Sequence, residues 1–142
     1  MTAPVLVSRV LVAGSASGQV LSLDEPVSFW GGVDPTTGNI VDIHHPQHGQ
    51  CITDRILVMP HGRGSSGASS VLSEAIRLGT APAGIVLNTA DPLIAFGSVV
   101  ANELYQKSIP VVVVDDIKSI SRASAAVIDG ETIELIWNEL EA

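Results

Sequence analysis

The hydrophobic positions of the chain fall into short continuous runs, and in the second half these runs alternate with longer helical stretches. From Arg55 the order is a strand (RILVMP), a glycine-rich loop (HGRG), a helix from Ser66 to about Leu78, a strand (AGIVLN), a helix over about 93–106 and a strand (PVVVV). Strands that are apolar at every position are typical of parallel sheets buried on both faces, which are joined by right-handed crossovers. The pattern therefore predicts a β-α-β-α-β unit.

The two ends of the chain predict antiparallel structure. Near the N-terminus, the runs VLVSRVLVAG and GQVLSLDE are separated by three small residues, 15–17, which favour a hairpin. Turns around short strands such as 39–42 are expected between residues 26 and 54. Near the C-terminus, AAVIDG and TIELIW predict a hairpin through Asp129-Gly130 that joins the N-terminal strands. We therefore expect an α/β fold, with a central parallel sheet flanked by helices and an N-terminal β layer.

The composition is that of a folded single domain. The chain has 142 residues, of which 46% are hydrophobic and 15% charged, and its mean hydropathy is +0.39. Disordered chains are instead rich in charge and poor in apolar residues. A chain of this length makes one domain, which we expect to span residues 1–142.

The charge balance and the single cysteine argue against several classes of function. Seven Lys and Arg stand against 15 Asp and Glu, a net charge of −8, and the basic residues are scattered, so a nucleic-acid partner is not expected. No apolar run approaches the roughly 18–20 residues of a membrane span, and the N-terminus lacks the pattern of a signal peptide, so we expect a cytoplasmic protein. Cys51 alone cannot form an internal disulfide or hold an iron–sulfur cluster. Any such metal centre must come largely from another chain.

The segment from His61 to Ser70 (HGRGSSGASS) is the part of the chain best suited to binding chemistry, because it follows a predicted buried strand and opens a predicted helix. Its glycines let the backbone turn sharply and approach a ligand closely. The free N–H groups and the positive dipole end of a helix start favour an anion, with several hydroxyls projecting towards it. The plainer alternative is a helix cap, in which Ser65 or Ser66 is the N-cap and Gly62 and Gly64 shape a tight turn.

Two nucleotide-binding motifs come close to this segment. A P-loop requires a lysine after the last glycine, and none follows Gly64 or Gly67. The spacing Gly62-x-Gly64-x-x-Gly67 does match the dinucleotide fingerprint. However, Asn88 stands where an acid should hold the ribose, and the nearest carboxylate is Asp91 in the loop beyond. Three consecutive strands are also only half of a full dinucleotide fold. A dinucleotide site is therefore a minor alternative.

A third possibility is a serine that transfers a proton. An alcohol resembles water, whose pKa is about 15.7, so an alkoxide near pH 7 requires roughly eight pKa units, or about 11 kcal/mol. A helix N-terminus supplies at most about 2 kcal/mol. The remainder must come from cationic groups, from desolvation on closure or from a partner's metal. Arg63 and His61 are the local candidates for the cationic groups.

Taken together, these motifs resemble the small subunit of the aconitase X family, which is equivalent to the mobile swivel domain of aconitases and isopropylmalate isomerases. The resemblance covers nearly the whole chain and rests on Asp24–Phe29 (DEPVSF), Trp30–Pro35 (WGGVDP), His45-Pro46 with Gly49, Gly62–Ser66 (GRGSS) and Gly79–Leu87. It implies a swivelling β/β/α fold and a dehydratase of small hydroxy acids. It also implies a heterodimer with a large catalytic subunit, which carries the iron–sulfur cluster or iron, while this chain alone binds none.

The same resemblance assigns roles within the loop. Ser65 corresponds to the family's proton acceptor, which takes the proton from the carbon next to the substrate carboxylate while the large subunit's metal helps the hydroxyl to leave as water. Arg63 corresponds to a basic residue between the glycines and would face the substrate anion. The wider superfamily has an arginine where this chain has Gly67, which fits the narrower aconitase X pattern. The remaining substrate-binding residues would be His61, Gly64 and Ser66.

Two activities are known in this family: dehydration of cis-3-hydroxy-L-proline to Δ1-pyrroline-2-carboxylate, and dehydration of a phosphorylated mevalonate. We favour the first, because a phosphorylated substrate would usually prefer more cationic groups than Arg63 and His61. Related swivel domains carry a phosphorylated histidine in phosphotransfer enzymes, but that histidine follows a serine inside the loop, where this chain reads Ser-Gly-Ala-Ser. A phosphotransfer domain and a non-catalytic anion-binding module are the alternatives of a different class.

Other notable residues have plainer explanations. The histidines of HHPQH (44–48) lack a recognisable metal-ligand spacing, so a solvated loop is expected. Cys51 is expected to be a half-buried side chain without special reactivity. The apolar stripe over residues 93–100 is typical of a helix face packed in the core. Trp30–Gly32 either line the site or the subunit interface, or form a turn beside a packed aromatic ring.

Overall fold

A computed structural model describes residues 4–63 and 67–137 of the chain. In these residues the strands are β1 Val5–Leu6, β2 Arg9–Val12, β3 Ser15–Ser22, β4 Ile56–Met59, β5 Gly84–Leu87, β6 Val111–Val113, β7 Ala125–Asp129 and β8 Thr132–Ile136. The helices are α1 Phe29–Gly32, α2 Gly67–Leu78, α3 Pro92–Tyr105 and α4 Lys118–Ser121. No helix in this part of the chain is long and apolar enough to cross a bilayer.

The strands form one curled sheet in the order β1-β8-β7-β3-β4-β5-β6-β2. Strands β4, β5 and β6 are parallel to one another and are connected through α2 and α3, which confirms the predicted β-α-β-α-β unit. Strands β7 and β8 form the predicted C-terminal hairpin, with Asp129 paired to Thr132. Because β7 also pairs with β3, and β8 with β1, the hairpin joins the N-terminal strands as expected.

The curl of the sheet depends on β3, which changes partner along its length. Its first part, from Ser15 to Gln19, pairs antiparallel with β7, and its last part, from Val20 to Ser22, pairs parallel with β4. Gly18 lies next to this change, where a Cβ would stand 2.5 Å from the backbone oxygen of Asp54. Only glycine allows the two backbones to approach this closely.

Alternate residues of the parallel strands point into two separate cores. In β4, Leu57 and Met59 pack in the cluster that also contains the buried faces of α2 and α3. Their neighbours Ile56 and Val58 pack on the other side of the sheet, against residues of the C-terminal hairpin such as Ile128. The result is a helical layer, a central parallel sheet and a second β layer built from β1, β7 and β8, which confirms the expected β/β/α architecture.

Helices α2 and α3 pack closely because small residues line their contact. The buried Ser73 hydroxyl of α2 donates to the Gly97 carbonyl of α3 at 2.6 Å. A Cβ on Gly97 would lie 3.0 Å from the backbone oxygen of Ser69. The stripe on α3 is only partly core, since Ile94 is buried whereas Phe96 is exposed. The expectation that the whole stripe is core is therefore wrong.

Two local predictions are also wrong. Residues 15–17 are not a hairpin turn but the start of β3, and β2 lies at the far edge of the sheet, antiparallel to β6. The reason is that β3 has to lie between β7 and β4 to carry the sheet from one layer to the other, a long-range constraint that local turn chemistry does not contain. Residues 39–42 form no strand, and the segment is held instead by two isolated bridges, Val33 to Ile40 and Asn39 to Cys51.

Gly18→Ala tests the close approach at the curl. A methyl group there must displace the Asp54 backbone, so we expect the free energy of unfolding to fall by about 1–3 kcal/mol, measured by urea denaturation. The control is Ser17→Ala, since the exposed Ser17 lies in the same strand and its loss should change stability by no more than about 0.5 kcal/mol. A Gly18→Ala protein as stable as the Ser17→Ala control would contradict this account of the curl.

Candidate active site

The glycine-rich loop begins at the carboxyl end of β4, the edge of a parallel sheet at which α/β proteins bind their ligands. The backbone N–H groups of Asn88 and Thr89, which follow β5, both donate to the Pro60 carbonyl at 3.0 Å. The Asn88 side chain in turn donates to the carbonyls of Val114 and Asp115, which follow β6. The ends of three parallel strands are thus tied together beneath the loop. These hydrogen bonds also engage the side-chain amide of Asn88, the residue that the dinucleotide alternative would have placed near a ribose.

Gly64, Ser65 and Ser66 lie outside the described residues. The described part of the site consists of the residues before and after them. The predicted proton acceptor and two of the predicted substrate-binding residues fall in this gap. The other two, His61 and Arg63, are both described and both exposed.

His61 and Arg63 differ in how far their side chains are already engaged. The His61 Nδ1 atom is 2.7 Å from the Gly62 carbonyl oxygen, and since a carbonyl can only accept, Nδ1 carries a proton and donates it. Arg63 makes no hydrogen bond or ion pair with any described residue. Its guanidinium presents five donors in a planar arrangement that suits a carboxylate or phosphate.

A carboxylate from α3 lies directly against Gly62. Asp91 is the N-cap of α3, where its Oδ1 accepts from the Leu93 N–H at 2.9 Å. Its other oxygen, Oδ2, lies only 1.6 Å from the position that a Cβ on Gly62 would take. The loop backbone therefore runs directly against the start of α3, a contact that no side chain at position 62 would allow.

Gly67, at the first position of α2, is covered by Trp30. A Cβ at Gly67 would stand 2.5 Å from Cδ1 of the indole ring and 3.1 Å from its Cγ. Gly62 and Gly67, which lie on either side of residues 64–66, are thus each in close contact with a side chain that is distant in sequence. The sequence marked Asp91 only as the acid nearest to Asn88, and Trp30 only as one possible lining residue. The Pro92 that follows Asp91 is a local signal for a capped helix start, but nothing local signals either contact with a glycine.

The serines of α2 are not all directed towards a ligand. The buried Ser69 hydroxyl donates to the Leu93 carbonyl at 2.7 Å and so belongs to the α2–α3 contact. Ser70, by contrast, is exposed. The expectation that the hydroxyls of this segment project together into an anion site is therefore wrong for Ser69.

The remaining candidate residues have structural roles. His45 is buried, and its ring bridges the Glu25 carbonyl at 2.9 Å and the Gln47 N–H at 3.0 Å, so only His44 and His48 fit the expected solvated loop. Cys51 is half-buried as expected, with its sulfur 3.3 Å from the Thr53 hydroxyl. Within the described residues, no group of three or more His, Cys, Asp or Glu side chains could hold a metal ion.

The segment that carries Trp30 is held by its own hydrogen bonds. The Asp34 carboxylate accepts from both the N–H and the hydroxyl of Thr36, at 2.9 and 2.7 Å, and these bonds lower the pKa of that carboxyl. The Gly32 carbonyl accepts from the Val41 N–H at 2.9 Å. Trp30 therefore projects from a constrained turn.

Gly62→Ala and Asp91→Ala test whether the carboxylate is what requires a glycine at position 62. We expect Gly62→Ala to lower the free energy of unfolding by about 1–3 kcal/mol through overpacking. Asp91→Ala should cost about 1 kcal/mol through the lost cap. The double variant should be more stable than the sum predicts, by about 0.5 kcal/mol or more, because the methyl group then occupies the vacated space.

The control for this cycle pairs Gly62→Ala with Asp116→Ala, which removes an exposed carboxylate elsewhere, and these two costs should simply add. If the losses of unfolding free energy in Gly62→Ala and Asp91→Ala also simply add, the contact between Asp91 and Gly62 is contradicted.

Sequence comparison finds related proteins over most of the chain. The family model of the aconitase X swivel domain matches residues 5–135. Over 77% of its length the chain is 49% identical to the cis-3-hydroxy-L-proline dehydratase of Pseudomonas aeruginosa. Over 66% of its length it is 44% identical to the phosphomevalonate dehydratase small subunit of Methanothermobacter thermautotrophicus, of which it covers 71%. The chain spans only about a fifth of the curated cis-3-hydroxy-L-proline dehydratases that it matches, 19% and 21% of their lengths.

A solved structure gives the same result for the fold. The crystal structure of Thermococcus kodakaraensis aconitase X in its holo-form matches with a TM-score of 0.82 and 32% identity, over 92% of this chain and 97% of that chain. On the family model, the relatives and the shared fold, this chain belongs to the aconitase X swivel domain family.

Proposed function

We propose that this chain is the small subunit of a hydro-lyase that dehydrates a hydroxy acid, and that it works together with a larger subunit. The substrate that we favour is cis-3-hydroxy-L-proline, which becomes Δ1-pyrroline-2-carboxylate. Membership of the aconitase X swivel family supports the proposal, as does 49% identity to a protein with this activity. A larger subunit as the partner is supported by the relative from Methanothermobacter thermautotrophicus, which is named a small subunit and of which this chain covers 71%.

The observation that carries the proposal is the exposed Arg63 at the carboxyl edge of the parallel sheet. Its guanidinium is free of described partners and lies on the loop between β4 and α2. A planar guanidinium binds a carboxylate through two parallel hydrogen bonds, which fixes both the position and the orientation of the acid. In a dehydration, that places the carbon next to the carboxylate beside the loop.

Ser65 is the proposed proton acceptor. It takes the proton from the carbon that bears the carboxylate, the neighbouring C–O bond breaks, the hydroxyl takes up a proton from a general acid or solvent and leaves as water, and a double bond forms between the two carbons. With cis-3-hydroxy-L-proline this first product is an enamine, which becomes Δ1-pyrroline-2-carboxylate when the proton on nitrogen is lost and the former hydroxyl-bearing carbon is protonated. The start of α2 supplies at most about 2 kcal/mol towards ionising a serine. The remaining cost has to be met by cations such as Arg63 and by exclusion of water when the larger subunit closes over the loop.

The described residues of this chain do not form a ligand set for an iron–sulfur cluster. Its one cysteine, Cys51, contacts Thr53 and the Thr37 carbonyl in the segment before β4 and does not lie among acids or histidines that could ligate iron. We therefore place any iron–sulfur centre in the larger subunit.

A phosphorylated mevalonate is the second candidate substrate. The observation that favours it is 44% identity to a phosphomevalonate dehydratase small subunit, of which this chain covers 71%. Such a substrate carries a phosphate in addition to its carboxylate, and a second anion requires further cationic donors. Arg63 and His61 are the local candidates, so the larger subunit would supply the rest.

Ser65→Ala tests the proton acceptor in the complex reconstituted with the larger subunit and assayed with both substrates. Loss of a general base lowers kcat by about 10²–10⁴-fold, while the substrate still binds because Arg63 remains. The matched control is Ser70→Ala, which removes an exposed hydroxyl from the first described turn of α2 and should leave kcat unchanged. A Ser65→Ala complex that turns over at the wild-type rate would assign Ser65 to a helix cap instead.

Arg63→Gln tests anion binding. Losing a charged hydrogen bond of about 1.5–3 kcal/mol should raise the KM about 10- to 100-fold. The control is Arg77→Gln, because Arg77 is exposed near the end of α2 but is already paired with Glu74, a pairing that raises the pKa of Arg77 and lowers that of Glu74. An unchanged KM in Arg63→Gln would remove Arg63 from the substrate site.

A further inference from the structure

The ring of His45 lies buried between two parts of the chain that are distant in sequence, and it is only 5% exposed. Its Nε2 atom is 2.9 Å from the Glu25 carbonyl oxygen, and its Nδ1 atom is 3.0 Å from the Gln47 backbone nitrogen. Since a carbonyl can only accept and a backbone N–H can only donate, Nε2 carries a proton and Nδ1 carries none. These two contacts therefore select the neutral ring in a single tautomer.

The Gln47 side chain adds two further hydrogen bonds between the same parts of the chain. The Asp24 N–H donates to Gln47 Oε1 at 3.1 Å, and Gln47 Nε2 donates to the Asp24 carboxylate at 2.9 Å. Together with the bond from His45 to Glu25, three hydrogen bonds join residues 24–25, just after β3, to the turn at residues 45–47. The bond from the Gln47 N–H to the His45 ring holds the backbone of that turn.

A proton on Nδ1 is incompatible with this arrangement, because it would face the Gln47 N–H and place two donors opposite each other. The titratable side chains of the segments that contact His45 are those of Asp24 and Glu25 after β3, and of Asp42, His44 and His48 in its own turn. Among the described residues, none of these side chains accepts a hydrogen bond from the ring, so none offers the second proton a partner. A buried donor left without a partner disfavours the closed arrangement by about 5- to 100-fold.

The segment between the two joined parts has anchors of its own. Val27, Phe29 and Ile40 are buried in the core cluster that also contains the inner face of α2. Breaking the three hydrogen bonds therefore loosens residues 24–25 and 45–47 without removing the segment from the core. The change is expected to be local.

We propose that His45 is a pH-sensitive latch: as a neutral ring it joins residues 24–25 to the turn at 45–47, and uptake of a proton from solvent on Nδ1 releases them. Histidine is the side chain that ordinarily changes its charge between pH 5 and 8. Because the closed arrangement excludes the second proton and the open one accepts it, lowering the pH favours opening. The latched segment carries Trp30, whose ring lies against Gly67, so the latch acts beside the candidate site.

Nuclear magnetic resonance of the full chain tests this directly. Ring ¹⁵N resonances report the protonation of His45 from pH 8 to pH 5, and amide hydrogen exchange, corrected for its intrinsic pH dependence, reports the opening. We expect the Nε2–H tautomer at pH 8. As the ring takes up its second proton, the Gln47 and Asp24 amides should lose protection by about 5- to 100-fold. The Ile85 amide, which donates to the Pro110 carbonyl in the parallel sheet, should keep its protection.

His45→Gln removes the titrating ring, so the protection of the Asp24 amide should no longer change between pH 8 and pH 5. The matched control is His48→Gln, because His48 is an exposed histidine of the same turn and its loss should leave the wild-type pH dependence intact. The inference is overturned by a ring that stays neutral down to pH 5, by a Gln47 amide that stays protected when the ring carries two protons, or by an Nδ1–H tautomer at pH 8. A loss of Asp24 protection that persists in His45→Gln, or that disappears in His48→Gln, would overturn it as well.

Discussion

The structure depends on close backbone approach at a small number of glycines, and the candidate site depends on two of them. Asp91 lies against Gly62 at one described end of the loop, and Trp30 lies against Gly67 at the other. Each contact joins the loop to an element that is distant along the chain, α3 in one case and the turn at Trp30 in the other. The described residues on either side of positions 64–66 are thus packed against the rest of the fold, and a rigid support of this kind is what a group that must meet a substrate at a fixed distance requires.

The layers of the fold make these two contacts possible. Strands apolar at every position place β4 and β5 between two cores, and the ends of β4, β5 and β6 are tied together through Pro60 and Asn88. The α2–α3 contact, made by small residues and by the Ser69 and Ser73 hydroxyls, sets how near the start of α3 comes to the loop. The polar groups of this region therefore divide into those that fasten the scaffold and those, such as Arg63, that remain available to a ligand.

The sequence predicts local features and misses long-range ones. Continuous apolar runs predicted β4, β5 and β6, and Asp129-Gly130 predicted the last hairpin, because periodicity and turn chemistry are properties of neighbouring residues. The small residues at 15–17 led to a wrong hairpin, because the partner of β3 is β7, with Ser15 opposite Asp129. The glycine-rich segment identified the site region for the same local reason. The contacts of Asp91 with Gly62 and of Trp30 with Gly67 were not predicted, because a residue that is close to a glycine in space but distant in sequence leaves no pattern along the chain.

In the function proposed above, Arg63 binds the carboxylate of a hydroxy acid beside the glycine-rich segment, and Ser65 takes the proton from the carbon that bears this carboxylate. The proposal also places a larger subunit opposite this segment, where it completes the site. The most direct measurement is the position of the Ser65 oxygen in a crystal structure of the complex with a bound hydroxy acid. The account predicts that this oxygen lies about 3 Å from the carbon that bears the carboxylate, within reach for proton transfer. A Ser65 oxygen that instead accepts hydrogen bonds from the first turn of α2, with another side chain beside that carbon, would contradict it.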